Sequence, residues 1–236
     1  MNEKETDVYF SLNQKELSTS VFKKSDHSLI FFNAENINID ALDEYTNFEI
    51  LEKPIEKNIR QIEKNINSFV NNIFLMIDTN ETISIYISLM KKLDNKKIQQ
   101  KDIKHLIQDA KLQILKAHPD KDIVHIIVKK YVINDLDYNF VPIDINCNKI
   151  SIDIKFICFS KNLIKKIESL FNNFQISVNR IICSKYAKSF MNKENQSNIC
   201  QIGHNLNKGL NKQEVVIVPK KIEKSGFFEK LFYFFK

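Results

Sequence analysis

Residues 118–135 read HPDKDIVHIIVKKYVIND, and the change of character within this stretch decides the fold. Ahead of it, Ile103, Ile107, Ala110 and Ile114 share one face of a helix expected over about 100–117. Pro119 stops that helix, because proline lacks the N–H and its ring clashes with the preceding turn. After Asp120 the chain runs Ile123-Val124-His125-Ile126-Ile127-Val128. Branching at Cβ stiffens these side chains and favours a pleated backbone, so 123–133 is expected to be a strand. A helix feeding directly into a strand sets the pattern to look for elsewhere.

Working outward, the alternation persists. Residues 8–12 and 17–22 read as strands around the polar turn NQKE, and 28–33 as a third. Ile55, Ile59, Ile62, Ile66 and Phe69 then mark one helical face, with Pro54 suited to the first turn. Strands are expected at 74–78, 82–90, 151–159 and 176–183, and a helix over 161–174 carrying Leu163, Ile167, Leu170, Phe171 and Phe174. The polar, Asn/Lys-rich segment 191–214 reads as a loosely ordered linker. The order gives an α+β fold.

Composition removes several classes of function. Only three glycines occur, Gly203, Gly209 and Gly226, so the first 202 residues have none. Phosphate-cradling loops need glycine for close backbone approach, which disfavours P-loop, Rossmann and actin-type nucleotide sites. Cys147, Cys158, Cys183 and Cys200 lack paired spacing and are expected to be free thiols, with no zinc. The five histidines suggest no metal, and no nucleophile–base or paired-carboxylate constellation emerges, so no enzyme and no cofactor are expected. The net charge of +6 is mild and carries no nucleic-acid signature. The polar start MNEKETD is read as carrying no leader.

His118-Pro119-Asp120 resembles the J-domain signature of Hsp70 co-chaperones, where the tripeptide sits between two helices. A co-chaperone is therefore the alternative function, although the strand-like continuation departs from that setting. A different resemblance runs from about 48 to 190, to the bacterial cell-division actin homologue FtsA. It is carried by PIEKNIRQIEKNINSFVNNIFLMID (54–78), LDNKKIQQKDIKHLIQDAK (93–111), HPDKDIVHIIVKKYVIND, VPIDINCNKISIDIKFICFS (141–160) and NNFQISVNRIICSKYAKSF (172–190). Asp120, His125, Tyr131 and Ile133 match the family's pattern, while Asp144 and Cys147 replace two of its glycines.

The resemblance implies a partial actin-like first subdomain at 1–78 and the family's inserted strand–helix–strand domain at 79–183. A return segment and flexible linker follow at 184–224, then an amphipathic membrane-targeting helix at 225–236. It also places the family's first phosphate loop, D-x-G-T-x-K, at Ser11-Leu12-Asn13-Gln14-Lys15-Glu16, where Ser11 replaces the carboxylate and Asn13 the glycine. Nucleotide binding is expected to be lost. The half of the family that docks the ring protein FtsZ has no counterpart, which puts FtsZ binding in doubt; the implied partners are FtsA-type neighbours or later division proteins. An actin-like scaffold of a pilus or secretion machine shares the same logic.

The end of the chain, SGFFEKLFYFFK, places Phe227, Phe228, Leu231, Phe232, Phe234 and Phe235 on one broad helical arc. A dozen residues fall short of the roughly 20 needed to span a bilayer, so the segment is expected to lie in the interface. Lys220, Lys221, Lys224 and Lys230 would meet anionic headgroups. The expectation is a non-enzymatic, peripheral membrane adaptor of cell division, at the division site on the cytoplasmic face of the inner membrane.

Overall fold

A computed structural model describes residues 5–140, 143–191 and 198–215. The first sheet starts as a hairpin of β1 (Thr6–Leu12) and β2 (Glu16–Lys23), with Leu12 opposite Leu17. β3 (Leu29–Asn36) adds to β2, and β4 (Asn72–Ile77) and β9 (Ser177–Cys183) add in parallel on the other side, giving the order β3-β2-β1-β4-β9. Every residue of β1 is buried, which fits a central strand covered on both faces. α1 (Glu52–Ile66) and α3 (Lys161–Asn172) cover one face, packing Ile55, Ile62, Leu163, Ile167 and Phe171 against Val8, Phe10 and Leu75.

The second sheet holds β5 (Ile83–Lys97), β6 (Lys121–Ile133), β7 (Leu136–Tyr138), β8 (Asn146–Ser160) and β10 (Glu214–Val215). Its order is β10-β6-β8-β5, with β7 paired to β6. α2 (Gln100–Ala117) lies on one face, where Ile103, Leu106, Ala110 and Ile114 join Ile126, Val128, Ile152, Ile154 and Phe156. β5 runs beyond the expected Met90 to Lys97, because pairing with Cys147 and Asn146 holds a lysine-rich end that has no alternation of its own. Asp94 and Asn95 take positive φ there, at the register shift between Lys92 and Lys96.

Four expectations need correction. Phe69, expected on the buried face of α1, is 77% exposed, because the helix ends at Asn67 in a left-handed cap (φ 52°). His118-Pro119-Asp120 joins a helix to a strand, since β6 begins at Lys121, so the two-helix setting of a co-chaperone is absent here. The inserted unit, expected to end at 183, closes at Ser160: β9 pairs with β4 and belongs to the first sheet.

The segment expected to be a linker is largely built into the body. After α4 (Ser184–Lys188), α5 (Ile199–Asn207) docks on the second face of the first sheet. Cys200, Ile202 and Leu206 pack there with Tyr9, Phe22, Met76 and Ile182. The Asn198 side chain caps α5 by accepting the Cys200 N–H at 2.7 Å, and it donates to Ser20 Oγ at 2.7 Å. A Cβ on Gly203 would stand 2.6 Å from Met76 Sδ, so glycine permits the close approach. The Asn/Lys-rich sequence on either side hid this helix, although Cys200, Ile202, Gly203, His204 and Leu206 are all buried.

Replacing Leu206 with Ala should lower stability by about 2–5 kcal/mol in urea unfolding, the ordinary range for a buried leucine. A true linker position would leave the transition unmoved.

His204 on α5 is also buried, stacked on Phe22 (centroids 4.4 Å apart), and neither ring nitrogen finds a partner among the described residues. Burial pushes its pKa down to about 4, only partly opposed by the charge of Asp7. The folded state therefore takes up this proton later than the unfolded chain, whose histidine titrates near 6.5. The stability tied to neutral His204 is complete above about pH 6.5 and is lost as pH falls toward 4. Unfolding titrations should show this decline, and His204→Phe should flatten it.

Candidate interaction site

The most concentrated polar chemistry lies where the two sheets meet. His125, fully buried on β6, accepts the Cys183 N–H from β9 at its Nε2 (2.9 Å) and faces Glu214 Oε1 with its Nδ1 (2.6 Å). One neutral tautomer satisfies both bonds, with the proton on Nδ1. Burial lowers the His125 pKa in spite of the opposing carboxylate, in agreement with that tautomer. Glu214 also receives the Arg180 guanidinium and, at Oε2, the Tyr186 hydroxyl (3.1 Å). Burial alone would raise its pKa; the bond from His125 and the charge of Arg180 outweigh that and lower it. Arg180 donates onward to Asn207 Oδ1 (2.7 Å), and the Asn207 amide donates to the Tyr9 hydroxyl (2.8 Å).

This chain of bonds ties β6 to β9, α4, α5 and β10. A histidine with a carboxylate partner is the arrangement of a general base, but here Nε2 is occupied by a backbone amide and the ring is closed to solvent. The cluster is a structural lock. The resemblance had marked His125 as a pattern residue; nothing in the sequence marked Glu214 as its partner, since it sat in the supposed linker.

At the tip of the β1–β2 hairpin, Asn13 Oδ1 accepts the N–H groups of Lys15 (2.8 Å) and Glu16 (3.0 Å). The Gln14 and Lys15 carbonyls accept the N–H groups of Ile39 (3.0 Å) and Ile37 (2.9 Å). A side chain thus takes two of the amides that an anion-binding loop would present, and the segment that follows β3, residues 37–39, lies across the turn. Ser11, at the position of the family's carboxylate, is buried. Among the described residues no group of three metal-ligating side chains forms, and no helix is long and apolar enough to cross a membrane.

The second sheet turns one face away from α2. On it, Tyr86 (66% exposed) and Met90 (58% exposed) project from β5, and Lys155 Nζ lies 5.7 Å from the Tyr86 ring centroid. Lys91, Lys92, Lys96, Lys97 and Lys101 gather at the far end of β5, relieved by Asp94 and by the Lys91–Asp102 pair (2.8 Å). Among the described residues β5 has no strand on its outer side. The expected membrane residues, Phe227, Phe228, Leu231, Phe232, Phe234, Phe235, Lys220, Lys221, Lys224 and Lys230, lie outside the described residues.

Replacing Glu214 with Ala strands Arg180, His125 and Tyr186 together. Stability should fall by about 3–5 kcal/mol in urea unfolding, as for a buried ion pair cut on one side. Glu214→Gln should lose less.

Residues 80–158, which hold β5, α2, β6, β7 and most of β8, match the SHS2 domain inserted in FtsA. Among solved structures, the PilM–PilN type IV pilus biogenesis complex superposes with a TM-score of 0.50 at 6% identity, covering 77% of this chain and 48% of that one. The cytoplasmic domain of EpsL, an inner-membrane component of the type II secretion system of Vibrio cholerae, gives a TM-score of 0.39 at 12% identity over 77% of this chain and 58% of its own. A Bacteroides thetaiotaomicron protein with an actin-like ATPase fold gives 0.34 at 11% identity over 80% of this chain and 56% of its own. The chain thus spans about half the length of the structures it matches. No curated protein matches it. The fold is α+β, a partial actin-like sheet from which an SHS2 domain of the FtsA-inserted kind projects at residues 80–158.

Proposed function

We propose that this protein is a non-enzymatic, membrane-associated adaptor of the FtsA kind, acting in bacterial cell division on the cytoplasmic face of the inner membrane. The observation that carries the reading is the SHS2 match over 80–158, on a domain whose Tyr86/Met90 face and β5 edge are open to a partner. The partners are other FtsA-type subunits or later division proteins, recognised by an exposed sheet face of mixed aromatic and basic character. Closure of the β1–β2 turn by Asn13 and by residues 37–39 supports loss of the nucleotide site.

The membrane part rests on the sequence of 225–236. Burying a phenylalanine is worth about 1.5–3 kcal/mol, and one aromatic arc of this width suits an interface better than a single packing seam. A second reading, a scaffold within a pilus or secretion machine, is favoured by the fold shared with the PilM–PilN complex. Affinity capture from the native cell separates the two by the class of protein recovered.

Cosedimentation with anionic vesicles tests the anchor. Phe228→Glu with Phe232→Glu should weaken binding more than about tenfold, since each change forfeits more than 1.4 kcal/mol of burial. Added salt should weaken binding of the unaltered chain as well. If the variant binds as before, or the unaltered chain ignores vesicles, the anchor reading fails.

A further inference from the structure

The two edges of the second sheet are finished differently. On the β6 side, β7 and β10 take up part of the free backbone. On the β5 side nothing does so among the described residues. Edge strands are ordinarily guarded by charge, proline or a bulge, because bare N–H and C=O groups recruit other strands. β5 carries such guards only in its second half, where Lys91, Lys92, Lys96 and Lys97 accompany the register shift between Lys92 and Lys96. Its first half, Ile83 to Met90 (ISIYISLM), holds no charge, no proline and no bulge. The side chains of this half are unfinished too. Ile83, Ile85, Ile87 and Leu89 pack on the α2 side but stay only half-buried, while Ser84, Tyr86, Ser88 and Met90 alternate with them on the open face.

The occupant is indicated by the strand's own pattern. Turned about a two-fold axis through Ser88, perpendicular to the sheet, a second β5 sets Tyr86 opposite Met90, Ile87 opposite Leu89 and Ser84 opposite Lys92. Each pair lies on one face and occurs twice. Tyrosine against methionine is a favourable sulfur–aromatic contact, and Ile87 with Leu89 completes the half-buried row. Lys91 comes opposite Ile85, with its ammonium already held by Asp102. The nearest charges on the open face of β8 are likewise engaged within their own chain, Asp153 by the Ser88 hydroxyl (2.6 Å) and Lys155 over the Tyr86 ring.

The antiparallel direction also keeps the lysines apart. At about 3.3 Å per residue the two Lys92 positions stand about 26 Å from each other, well past the roughly 8 Å screening length at physiological salt. Parallel pairing would stack lysine on lysine. A foreign acidic strand drawn to the lysines would have to pair along 92–96, where the ladder is broken and Asp94 and Asn95 take positive φ. The half of the edge that is fit for pairing is the uncharged one, and it is complementary to itself.

We propose that two copies of this chain pair antiparallel along β5 about Ser88, joining their second sheets into one. The proposal rests on the reading of β5 as a partner-binding edge, and not on a role in division or on membrane attachment. A single strand pair falls at the low end of specific interfaces, below about 1,200 Å², so the dimer is weak and forms where chains are concentrated.

Sedimentation equilibrium of the purified full-length chain without lipid tests it. Dimer should be evident by about 100 μM chain, the weak end for contacts of this size. Ser84→Glu, facing Lys92 of the second copy, should tighten the dimer, and Ser84→Lys should loosen it. With two such pairs per dimer, the Kd values of these variants should differ by about tenfold or more. Association through the tail would ignore both changes. Ser88→Cys should crosslink to a dimer on mild oxidation, since residues opposite each other in an antiparallel pair have Cα atoms about 4.5–5.5 Å apart, within disulfide reach. Ser84→Cys, about 26 Å from its counterpart, should not. The four native cysteines are buried and do not compete. A chain that stays monomeric at that concentration overturns the proposal, as does a Kd indifferent to the sign of charge at residue 84, or equal crosslinking at 84 and 88.

Discussion

Parallel pairing of β4 with β9 is the constraint on which the remaining architecture depends. Parallel neighbours cannot be joined by a tight turn and need a crossover. Here the crossover runs from Ile77 to Ser177 and contains the second sheet, all but β10, together with α2. That sheet must leave and return at one end of the first, which is why β8 hands over directly to α3 at Ser160–Lys161 and why α3 packs beneath β9. An antiparallel excursion suits this role, because β5, β6 and β8 pair locally and bring the chain back.

Such an excursion would pivot on its two connections were it not tied elsewhere. His125 supplies the tie from the inserted side and Glu214 from the end of the described chain. Residues 89 positions apart thus hold each other in a desolvated site. The outer face of the second sheet gains a fixed aspect relative to the body. For a protein whose proposed work is to present a surface to partners, a rigid aspect matters more than any reactive group, and the buried chemistry here is spent on rigidity.

Most of the fold was legible from period alone. α2 falls over 100–117 as expected, because Ile103, Ala110 and Ile114 repeat at helical spacing, and β8 shows the plain alternation Ile152, Ile154, Phe156, Cys158. What stayed hidden depended on partners distant in sequence. The lysine end of β5 is a strand only because β8 lies beside it; α5 is a short, well-buried helix set between polar, Asn/Lys-rich segments. Asp144 stands where the family pattern has glycine and still adopts φ 62°, so the turn keeps its backbone conformation without its usual residue. The lock at Glu214 had no local signal, since a single glutamate before a β-branched run is ordinary.

The hundred residues between β4 and β9 also bear on how the chain is born. During synthesis, β1 to β4 emerge with the outer edge of β4 bare, and its partner follows only after the inserted domain has been made. At about 5–20 residues per second that interval lasts on the order of 5–20 s. The antiparallel sheet, whose contacts are nearer in sequence, has time to form first, while a hydrophobic edge containing Phe74, Leu75 and Met76 waits beside it. Nascent chains of this protein are therefore most exposed to mispairing with one another in the middle of translation.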